Sequence, residues 1–509
     1  MNREIPGYYY DSVKRKYFRI EATSTAPSAA VWSSQNVKRR AVEENVAKAK
    51  EERARREVGR VKRARILKEG EVPLMGGLLA KEIGQVCGSG RALSTKETAG
   101  RAWAGGLKGK GEVNLCPELV RQGPMISTMW VGGAGSQDRL GLAYAVVEGR
   151  RLTVSYLPRD EEDRINFQNA AERYSRVSFL PLHPINFEPA ISSIKFHEPS
   201  SRLLVACHYG QHECTIRQST PGAMEQTTAN NVLLAHDSSV HVPHTDCIYA
   251  LQPAPSSSRL TCIAGTDKGI VKVQDNNVTW VATPALNRPR PKGKRRHNAR
   301  ETNAPPWQGD VLSLDFLSQN PAEVVLAGTR SGHVCILDLR AAPEQWSPKR
   351  NTFKHVSSVA HVKSIGPYSV LAAGPRNAMC LYDVRYQQQR QQHILQEGDG
   401  SGHPQRWMCN TTRPILDFPS YRNLAHIQIG WDVLTEPGYG SGIVAAAHDD
   451  DTVGLYSLQD GTRIMGGDVD KIRAGGVVKS LVWQTLPGDK HPSLFVGEGA
   501  CLRKYSFWA

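Results

Sequence analysis

The stretch VLSLDFLSQNPAEVVLAGTRSGHVCILDLR, residues 311–340, has the pattern of three short strands separated by two turns. Apolar and polar residues alternate over 312–316, an uninterrupted apolar run covers 324–327, and alternation returns over 334–338. A period of two indicates β-strands, and the Gly and Ser residues between the runs are typical of tight turns. The stretch therefore predicts a unit of strand, turn, strand, tight turn, strand.

The same outline recurs along the chain, which indicates a repeat architecture. Its copies are found at 127–157, 191–218, 247–277, 356–385, 425–459 and 477–507. A single small sheet cannot bury both faces, whereas seven sheets packed radially bury each other. No helical segments alternate with the strands, which argues against a doubly wound α/β domain. The sequence predicts an all-β, seven-bladed WD-repeat β-propeller.

The last unit, 477–507, is followed by too few residues to supply an outer strand. We expect that strand to come from before the first unit. The segment EVNLCPELVR, 112–121, is the predicted donor, and it would pair beside the strand at 500–507.

The organisation predicted from these patterns is an N-terminal arm, 1–110, followed by the propeller, 111–509. The arm contains an aromatic motif at 5–20 and a basic segment of helix-forming composition at 35–69, for which Ser34 is the candidate cap and Gly70 the candidate end. Two polar stretches inside the propeller, 284–306 and 387–405, are predicted to be mobile loops between blades.

The net charge of +15 is concentrated in two segments. Residues 38–68 hold 13 Lys and Arg against 5 Asp and Glu, and residues 284–306 hold 7 against 1, so the rest of the chain is nearly neutral. The first segment is a candidate nucleic-acid arm or a solvated helix. The second contains RPKGKRR, 290–296, a candidate nuclear import signal or a basic loop.

Catalytic and cofactor motifs are absent from the sequence. It has no HExxH, GxSxG or GxxxxGK[ST] pattern, and its ten cysteines include no CxxC pair. The run HDDD at 448–451 falls in a predicted tight turn, where Asp is favoured for its local hydrogen bonds. No apolar run reaches the roughly 20 residues that span a bilayer. These observations favour a non-catalytic protein without cofactor, metal site or membrane partner.

Two neighbouring units end their third strand with Asp-x-Arg. These are Asp338 with Arg340 and Asp383 with Arg385. In the unit at 247–277 the spacing gives Asp275 but no Arg, and in the unit at 425–459 it gives Ser457 and Gln459. The Asp position is therefore interpreted as structural. The two Arg residues, on one rim of adjacent blades, are interpreted as partner-binding, because a guanidinium pairs bidentately with carboxylates and carbonyls.

The sequences LDLR, 337–340, and YDVR, 382–385, resemble the WDxR motif of propellers that act as substrate receptors of cullin-4 ubiquitin ligases. The opening IPGYYYDSVKRKYFRI, 5–20, resembles the start of one subgroup, DDB- and cullin-4-associated factor 4. The resemblance implies that Arg340 and Arg385, with Asp338 and Asp383, dock on the damage-specific DNA-binding adaptor, and that a helix before the propeller assists. Leu337 and Tyr382 replace the tryptophan of the motif.

Two specific functions remain open on the sequence alone, beside a third, a plain propeller scaffold with unidentified protein partners. The first is a receptor that brings an unidentified protein substrate to a cullin-4 ligase through the DDB-type adaptor. The second is a WD-repeat scaffold that associates with RNA or chromatin, for example in ribosome assembly, through the basic segments. Either function fits a location in both nucleus and cytoplasm.

Overall fold

The structure is a computed structural model of the whole chain, which divides into two compact units, Met1–Ser89 and Gly90–Ala509. In the first unit it describes residues 7–11, 14–21, 32–40, 42–43, 45–48 and 51. In the second it describes 95–115, 125–133, 141–158, 165–168, 185–186, 190–210, 213–226, 231–282, 305–318, 323–346, 351–385, 389–394, 407–435, 442–486 and 489–507.

The first unit contains a hairpin built from the aromatic motif. Strands Tyr8–Asp11 and Lys16–Arg19 pair antiparallel. The ring of Phe18, on the second strand, stacks on Trp32 with ring centroids 4.8 Å apart. Aromatic stacking across the chain thus ties the hairpin to the segment that leads into the helix.

The basic segment of the first unit is helical at residues 34–40, 42–43, 45–48 and 51. The backbone N–H of Asn36 donates to Oγ of Ser33 at 3.4 Å, and Ser33 is buried. Ser33 is therefore the N-cap, one residue before the predicted Ser34. The remainder of 35–69 and the predicted end at Gly70 lie outside the described residues.

The second unit contains seven antiparallel four-stranded sheets, which confirms the predicted seven-bladed β-propeller. Blades 1 to 3, each from first to fourth strand, are Ile126–Gly133, Gly141–Val147, Arg151–Tyr156 and Ile185–Asn186; Ala190–His197, Arg202–Gly210, Glu213–Gln226 and Asn231–Val242; and Ile248–Pro253, Cys262–Thr266, Ile270–Gln274 and Asn277–Trp280. Blades 4 to 6 are Val311–Phe316, Val324–Thr329, His333–Asp338 and Thr352–Lys354; His361–Ser364, Ser369–Gly374, Ala378–Asp383 and Leu416–Asp417; and Trp431–Leu434, Ile443–Ala447, Val453–Ser457 and Arg463–Ile464.

Blade 7 closes the ring with a strand from the beginning of the unit. Its first three strands are Leu481–Gln484, Ser493–Glu498 and Cys501–Ser506, and its fourth is Lys108–Asn114, which pairs antiparallel with Cys501–Ser506. The predicted donation is confirmed, although the strand begins four residues before the predicted 112–121.

One α-helix, Thr95–Gly105, precedes the closing strand among the described residues of this unit. Trp103 is buried in a cluster with residues of blades 6 and 7, and its ring lies 5.6 Å from that of Trp483. Short 3-10 helices are found at Glu198–Ser200, Pro306–Gln308, Pro343–Gln345 and Val469–Lys471.

The hydrophobic core lies between the blades rather than in a single centre. Second strands such as Val324–Thr329 and Ile443–Ala447 are buried along their whole length because a neighbouring blade covers each face. Blades 4 and 5 share one cluster, in which Val334 of blade 4 packs with Val370 of blade 5. Side-by-side burial therefore fixes each blade relative to the next.

A buried carboxylate in the first strand of blade 4, that of Asp315, also joins this blade to the first strand of blade 5. Oδ2 of Asp315, in blade 4, accepts the backbone N–H of Ser364, in blade 5, at 2.8 Å, and Lys363 Nζ lies 3.5 Å from Oδ1. On its other side Asp315 Oδ1 accepts Nε2 of Gln252, in blade 3, at 3.3 Å. These polar contacts hold three consecutive blades in a fixed relation near the axis of the ring.

Two features of the connections between third and fourth strands differ from the prediction. In blade 2 these strands are unusually long, over Glu213–Gln226 and Asn231–Val242. In blade 5 a separate hairpin, Gln389–Ile394 with Trp407–Thr412, is inserted where the sequence indicated only a mobile loop at 387–405. The other residues of that loop, and nearly all of 284–306 including the basic run 290–296, lie outside the described residues.

Candidate functional site

The two Asp-x-Arg sequences occupy the same place in adjacent blades. In blade 4 Asp338 pairs with Val324, and the next N–H, of Leu339, donates to the carbonyl of Glu323 at 2.8 Å. In blade 5 Asp383 ends the third strand in the same register, opposite Ser369, and Val384 N–H donates to Tyr368 O at 2.9 Å. Blades 4 and 5 have the same strand order and their first strands pack side by side, so their third strands end on the same rim. We call this the third-strand rim.

In blade 4, the Arg340 guanidinium binds the carboxylate two residues before it. Nε donates to Asp338 Oδ1 at 2.9 Å and Nη2 donates to Asp338 Oδ2 at 2.7 Å. The backbone N–H of Arg340 also donates to Asp338 Oδ1, at 3.0 Å. Nη1 forms a third link, to Glu323 Oε2 at 2.9 Å. The Arg340 side chain remains 57% exposed, so a fixed guanidinium faces solvent.

In blade 5 the same arrangement recurs with one substitution. Nε and Nη2 of Arg385 donate to the two oxygens of Asp383 at 3.0 and 2.7 Å, and the Arg385 backbone N–H donates to Asp383 Oδ1 at 2.9 Å. Tyr368 stands where blade 4 has Glu323, and the guanidinium carbon lies 4.3 Å from the centroid of its ring. The Arg385 side chain is 52% exposed. An ion pair in one blade is thus replaced by a cation–π contact in the next.

The electrostatics of both pairs favour the charged forms. The side-chain hydrogen bonds from Arg340 and from Arg385 hold the pKa of Asp338 and of Asp383, respectively, below its usual value. The same contact with Asp338 raises the pKa of Arg340. Both pairs therefore stay ionised through the neutral range.

The geometry changes the chemistry expected of the two arginines. A partner was expected to pair with the bidentate edge of each guanidinium, but in each blade that edge already binds the blade's own Asp. A partner would instead meet the outer side of a guanidinium whose orientation is set in advance. Holding a long side chain in one geometry lowers the entropy that binding must remove.

Blade 6 has the same backbone frame without the arginine. Leu458 N–H donates to Gly442 O at 3.1 Å, and Gln459 N–H donates to Ser457 Oγ at 3.1 Å, as the Arg N–H groups do to Asp in blades 4 and 5. Ser457 Oγ in turn donates to Oε1 of the buried Glu97, in the Thr95–Gly105 helix, at 2.6 Å.

The helix also supplies blade 6 with a cation. Arg101, one turn after Glu97, pairs with it at 3.5 Å and with Asp460 at 2.5 Å, and its side chain is only 24% exposed. Sequence reasoning missed this helix contact, because Glu97 and Ser457 are 360 residues apart in the chain. The acid that blade 6 lacks in its own strand is brought to it by the helix.

Blade 3 shows that spacing alone does not identify the Asp position. Asp275 and Asn276, with φ of 45° and 68°, form the two-residue turn between Ile270–Gln274 and Asn277–Trp280. Such left-handed turns match the twist of a hairpin and favour Asp and Asn. The residue that ends the third strand is therefore Gln274, and the predicted equivalence of Asp275 with Asp338 is wrong by one residue.

The acidic run 448–451 lies in the turn between the second and third strands of blade 6. His448 is fully buried, with Nδ1 2.8 Å from Thr452 Oγ1 and Nε2 2.6 Å from Tyr456 OH, and burial lowers its pKa to about 4. Asp450 is held by Arg422 at 3.2 Å. Within the described ranges no group of His, Cys, Asp and Glu has the arrangement of a metal site. Thr452 Oγ1 also donates to Asp450 Oδ1, so His448 and Asp450 both form hydrogen bonds within the turn.

Comparison with known proteins gives no family for the chain. No family model matches it, and no curated protein matches it. Among solved structures it is similar to the WD40 β-propeller domain of Doa1, with 10% sequence identity over 79% of this chain and 99% of that domain and a TM-score of 0.47. At this level the similarity carries no functional argument, and the count of seven blades rests on the strand pairing above. In the part of the chain that the structure describes, no helix has the length and apolar character needed to cross a membrane.

Proposed function

We propose that the protein is a non-catalytic interaction scaffold whose third-strand rim binds a protein partner through Arg340 and Arg385. The observation that carries the proposal is the repetition of one construction in adjacent blades: an exposed guanidinium clamped by the Asp two residues before it. Blade 6 forms the same backbone turn with Ser457 and has no arginine at the end of its own third strand, since its cation, Arg101, comes from the Thr95–Gly105 helix. The turn therefore explains the acids but leaves the two arginines without a structural necessity.

The partner that we propose is the DDB-type adaptor of a cullin-4 ubiquitin ligase, and this step rests on the resemblance of residues 337–340 and 382–385 to the docking motif. Arginine is enriched among the residues that dominate protein interfaces. Leu337 and Tyr382, which replace the motif's tryptophan, are both buried in the blades, so the substitution affects packing rather than the exposed arginines. The chain would then be a substrate receptor, present in nucleus and cytoplasm, for a protein substrate still to be identified.

The test is binding of the purified full-length chain to the purified adaptor, measured by surface plasmon resonance. The double variant Arg340→Ala/Arg385→Ala should lose on the order of 30-fold or more in affinity, as expected when interface arginines are removed. Arg330→Ala is the matched control, because Arg330 is also an exposed arginine paired with an Asp, Asp310, but lies on the opposite rim in the turn after Val324–Thr329. It should bind like the wild type.

Two outcomes would overturn the proposal: a wild-type chain that does not bind the adaptor, or a double variant that binds equally well. The RNA or chromatin scaffold predicts a different pattern. Removal of 38–68 should then abolish binding to a generic RNA or DNA duplex, and the affinity should fall steeply with salt. An interface centred on two clamped arginines should persist at moderate salt.

A further inference from the structure

The rim opposite the third-strand rim carries a second exposed feature, at the junction of blades 5 and 6. It consists of the turn between the second and third strands of blade 5, with Arg376 and Asn377, and the loop that enters blade 6, with Arg422, Asn423 and Leu424. We call these five residues the 376–424 patch. The distinguishing observation is an apolar side chain, Leu424, that is 65% exposed although its backbone is held firmly.

Both backbone groups of Leu424 are hydrogen bonded to neighbouring segments. Its N–H donates to Asp449 Oδ2 at 3.1 Å, and its carbonyl accepts the N–H of Arg376 at 3.1 Å. A side chain presented by a mobile loop would lose much of its freedom on binding, whereas this one has already lost it. Leu424 is therefore displayed on a rigid support.

The rigid support is centred on Asn423, which is fully buried. Its N–H donates to Asn377 Oδ1 at 2.7 Å, and its carbonyl accepts the N–H of Asn377 at 2.7 Å. Its side chain closes the loop by exchanging hydrogen bonds with the backbone of His426, both at 2.8 Å. A buried amide with this number of partners specifies one loop conformation.

Arg376 adds a second unusual property, backbone strain. Its φ is +61°, in the left-handed region where glycine and asparagine are favoured and arginine is not. Asn377 follows with a φ of +55°, so the turn itself has ordinary hairpin geometry and the unusual feature is an arginine at its first left-handed position. Within the described ranges Arg376 has no ion pair, whereas its neighbour Arg422 binds Asp450 at 3.2 Å.

We propose that the 376–424 patch binds a peptide segment that carries an apolar side chain next to a carboxylate. The apolar side chain would cover Leu424, and the carboxylate would pair with Arg376, the charge of the patch that has no counterion in the described structure. Two carboxylates beside the patch are already engaged elsewhere: Asp450 pairs with Arg422, and Asp449 accepts the backbone N–H of Leu424, so neither is a counterion of Arg376 among the described residues. This surface is separate from the third-strand rim, and the proposal does not depend on the adaptor.

The experiment uses the full-length chain and a random dodecapeptide phage library, with counter-selection on the double variant Leu424→Ser/Arg376→Ser. The enriched peptides should contain an apolar residue with Asp or Glu close to it. One such peptide, synthesised and measured by fluorescence anisotropy, should bind Leu424→Ser and Arg376→Ser at least tenfold more weakly than wild type. It should bind Ile415→Ser normally, since Ile415 is a comparably exposed aliphatic residue, at 58%, elsewhere in blade 5.

Arg376→Gly separates binding from folding. It removes the guanidinium but suits the left-handed conformation, so its unfolding temperature should equal or exceed that of the wild type while the peptide binds at least tenfold more weakly. Absence of enrichment over the counter-selected variant, enrichment of basic peptides, or equal binding to Arg376→Gly would overturn the proposal. Arg340→Ala/Arg385→Ala should bind the peptide like wild type, whichever result the adaptor experiment gives.

Discussion

Blades 4 and 5 end their third strands with Asp-x-Arg, whereas blade 6 ends its third strand with Ser457-x-Gln459. In all three blades the side chain at the end of the strand accepts the N–H of the residue two positions later, at 2.9 to 3.1 Å. The acceptor is thus common to the three turns, while its chemical type is not. In blade 6 the acceptor is the hydroxyl of Ser457, which in turn donates a hydrogen bond to the carboxylate of Glu97.

The comparison distinguishes the hydrogen-bond acceptor, which all three turns share, from the guanidinium, which only blades 4 and 5 carry at the end of the strand. In each of these three turns the acceptor satisfies the backbone N–H of the residue two positions later. A guanidinium is not required, because blade 6 does without one from its own strand. In blades 4 and 5 the acid therefore has two tasks, to close the turn and to orient an arginine toward solvent.

The largest effect is expected from pH, because blades 5 and 6 both use a buried neutral histidine bonded to a third-strand tyrosine. His355 lies 2.8 Å from Tyr382 OH, and His448 lies 2.6 Å from Tyr456 OH. Burial lowers the pKa of each histidine from 6.5 to about 4. Between these values the unfolded chain binds a proton that the folded chain does not, so stability is complete above about pH 6.5 and falls as the pH decreases toward 4.

As the pH falls over this range, protonation of each of the two histidines in the unfolded chain should lower the free energy of unfolding by about 3 kcal/mol. The measurement is chemical denaturation at a series of pH values between 7.5 and 4. In His448→Gln the slope below pH 6.5 should be shallower than in wild type, even if the variant is less stable at pH 7.5. An equal slope would contradict the assignment of a neutral buried His448.

The next largest effect should come from blade 6, with Ser457→Ala. This change removes the acceptor of the turn and also the donor to the buried carboxylate of Glu97. A buried charged group that loses a hydrogen bond costs about 2–3 kcal/mol, which denaturant titration resolves. Ser457→Thr keeps the hydroxyl and is the control. A value below about 0.5 kcal/mol would show that the helix and the turn of blade 6 are not coupled in this way.

A smaller loss is expected in blade 5 for Asp383→Ala. Its carboxylate accepts the Arg385 backbone N–H, and the Asp383 side chain is only 13% exposed. We expect about 1 kcal/mol from denaturant titration, and a smaller loss for Asp338→Ala because that side chain is 34% exposed. Asp383→Asn retains an acceptor for the turn and should recover part of the loss. A larger loss of stability in Asp338→Ala than in Asp383→Ala would contradict the expected difference between the two blades.

The smallest effect on stability should come from the arginines themselves. The double variant Arg340→Ala/Arg385→Ala should unfold within about 2 °C of wild type by differential scanning calorimetry, since both side chains are more than half exposed. A decrease similar to that of Asp383→Ala would mean that the arginines hold the blades, and their proposed role at an interface would lose its basis.

Much of the fold could be predicted from the sequence because the strands of blades 1 to 6 are continuous in the chain and show their own pattern of apolar and polar residues. The alternation over 312–316 and the apolar run over 324–327 are set by burial between neighbouring blades, so they identify the strands without further information. The closing strand could be predicted from the seventh unit's missing partner. The exact register could not, since glycines at 109 and 111 produce a bulge in Lys108–Asn114.

The positions of the candidate site residues in their strands could be predicted in part, and for a physical reason, while their role in binding stays a prediction. Asp338, Arg340, Asp383 and Arg385 stand in the expected positions because the third strand ends at a fixed distance from its turn. The contact of Glu97 with Ser457 depends on a distant pairing that leaves no local signal. The equivalence of Asp275 with Asp338 was wrong because a turn of different register shifts the strand end by one residue without changing the composition.

The closing strand also imposes an order of events on biosynthesis. Glu112 and Arg503, which pair across this closure at 2.7 Å, are separated by 391 residues. At ribosomal speeds of about 5–20 residues per second, Lys108–Asn114 leaves the ribosome roughly 20–80 s before its partner strand exists. During that interval the segment is an unpaired strand edge of the kind that invites association with other nascent chains or chaperones. The ring is therefore completed only after Cys501–Ser506 has been made, although blades 1 to 6 are each continuous in the chain and can form in the order in which they are made.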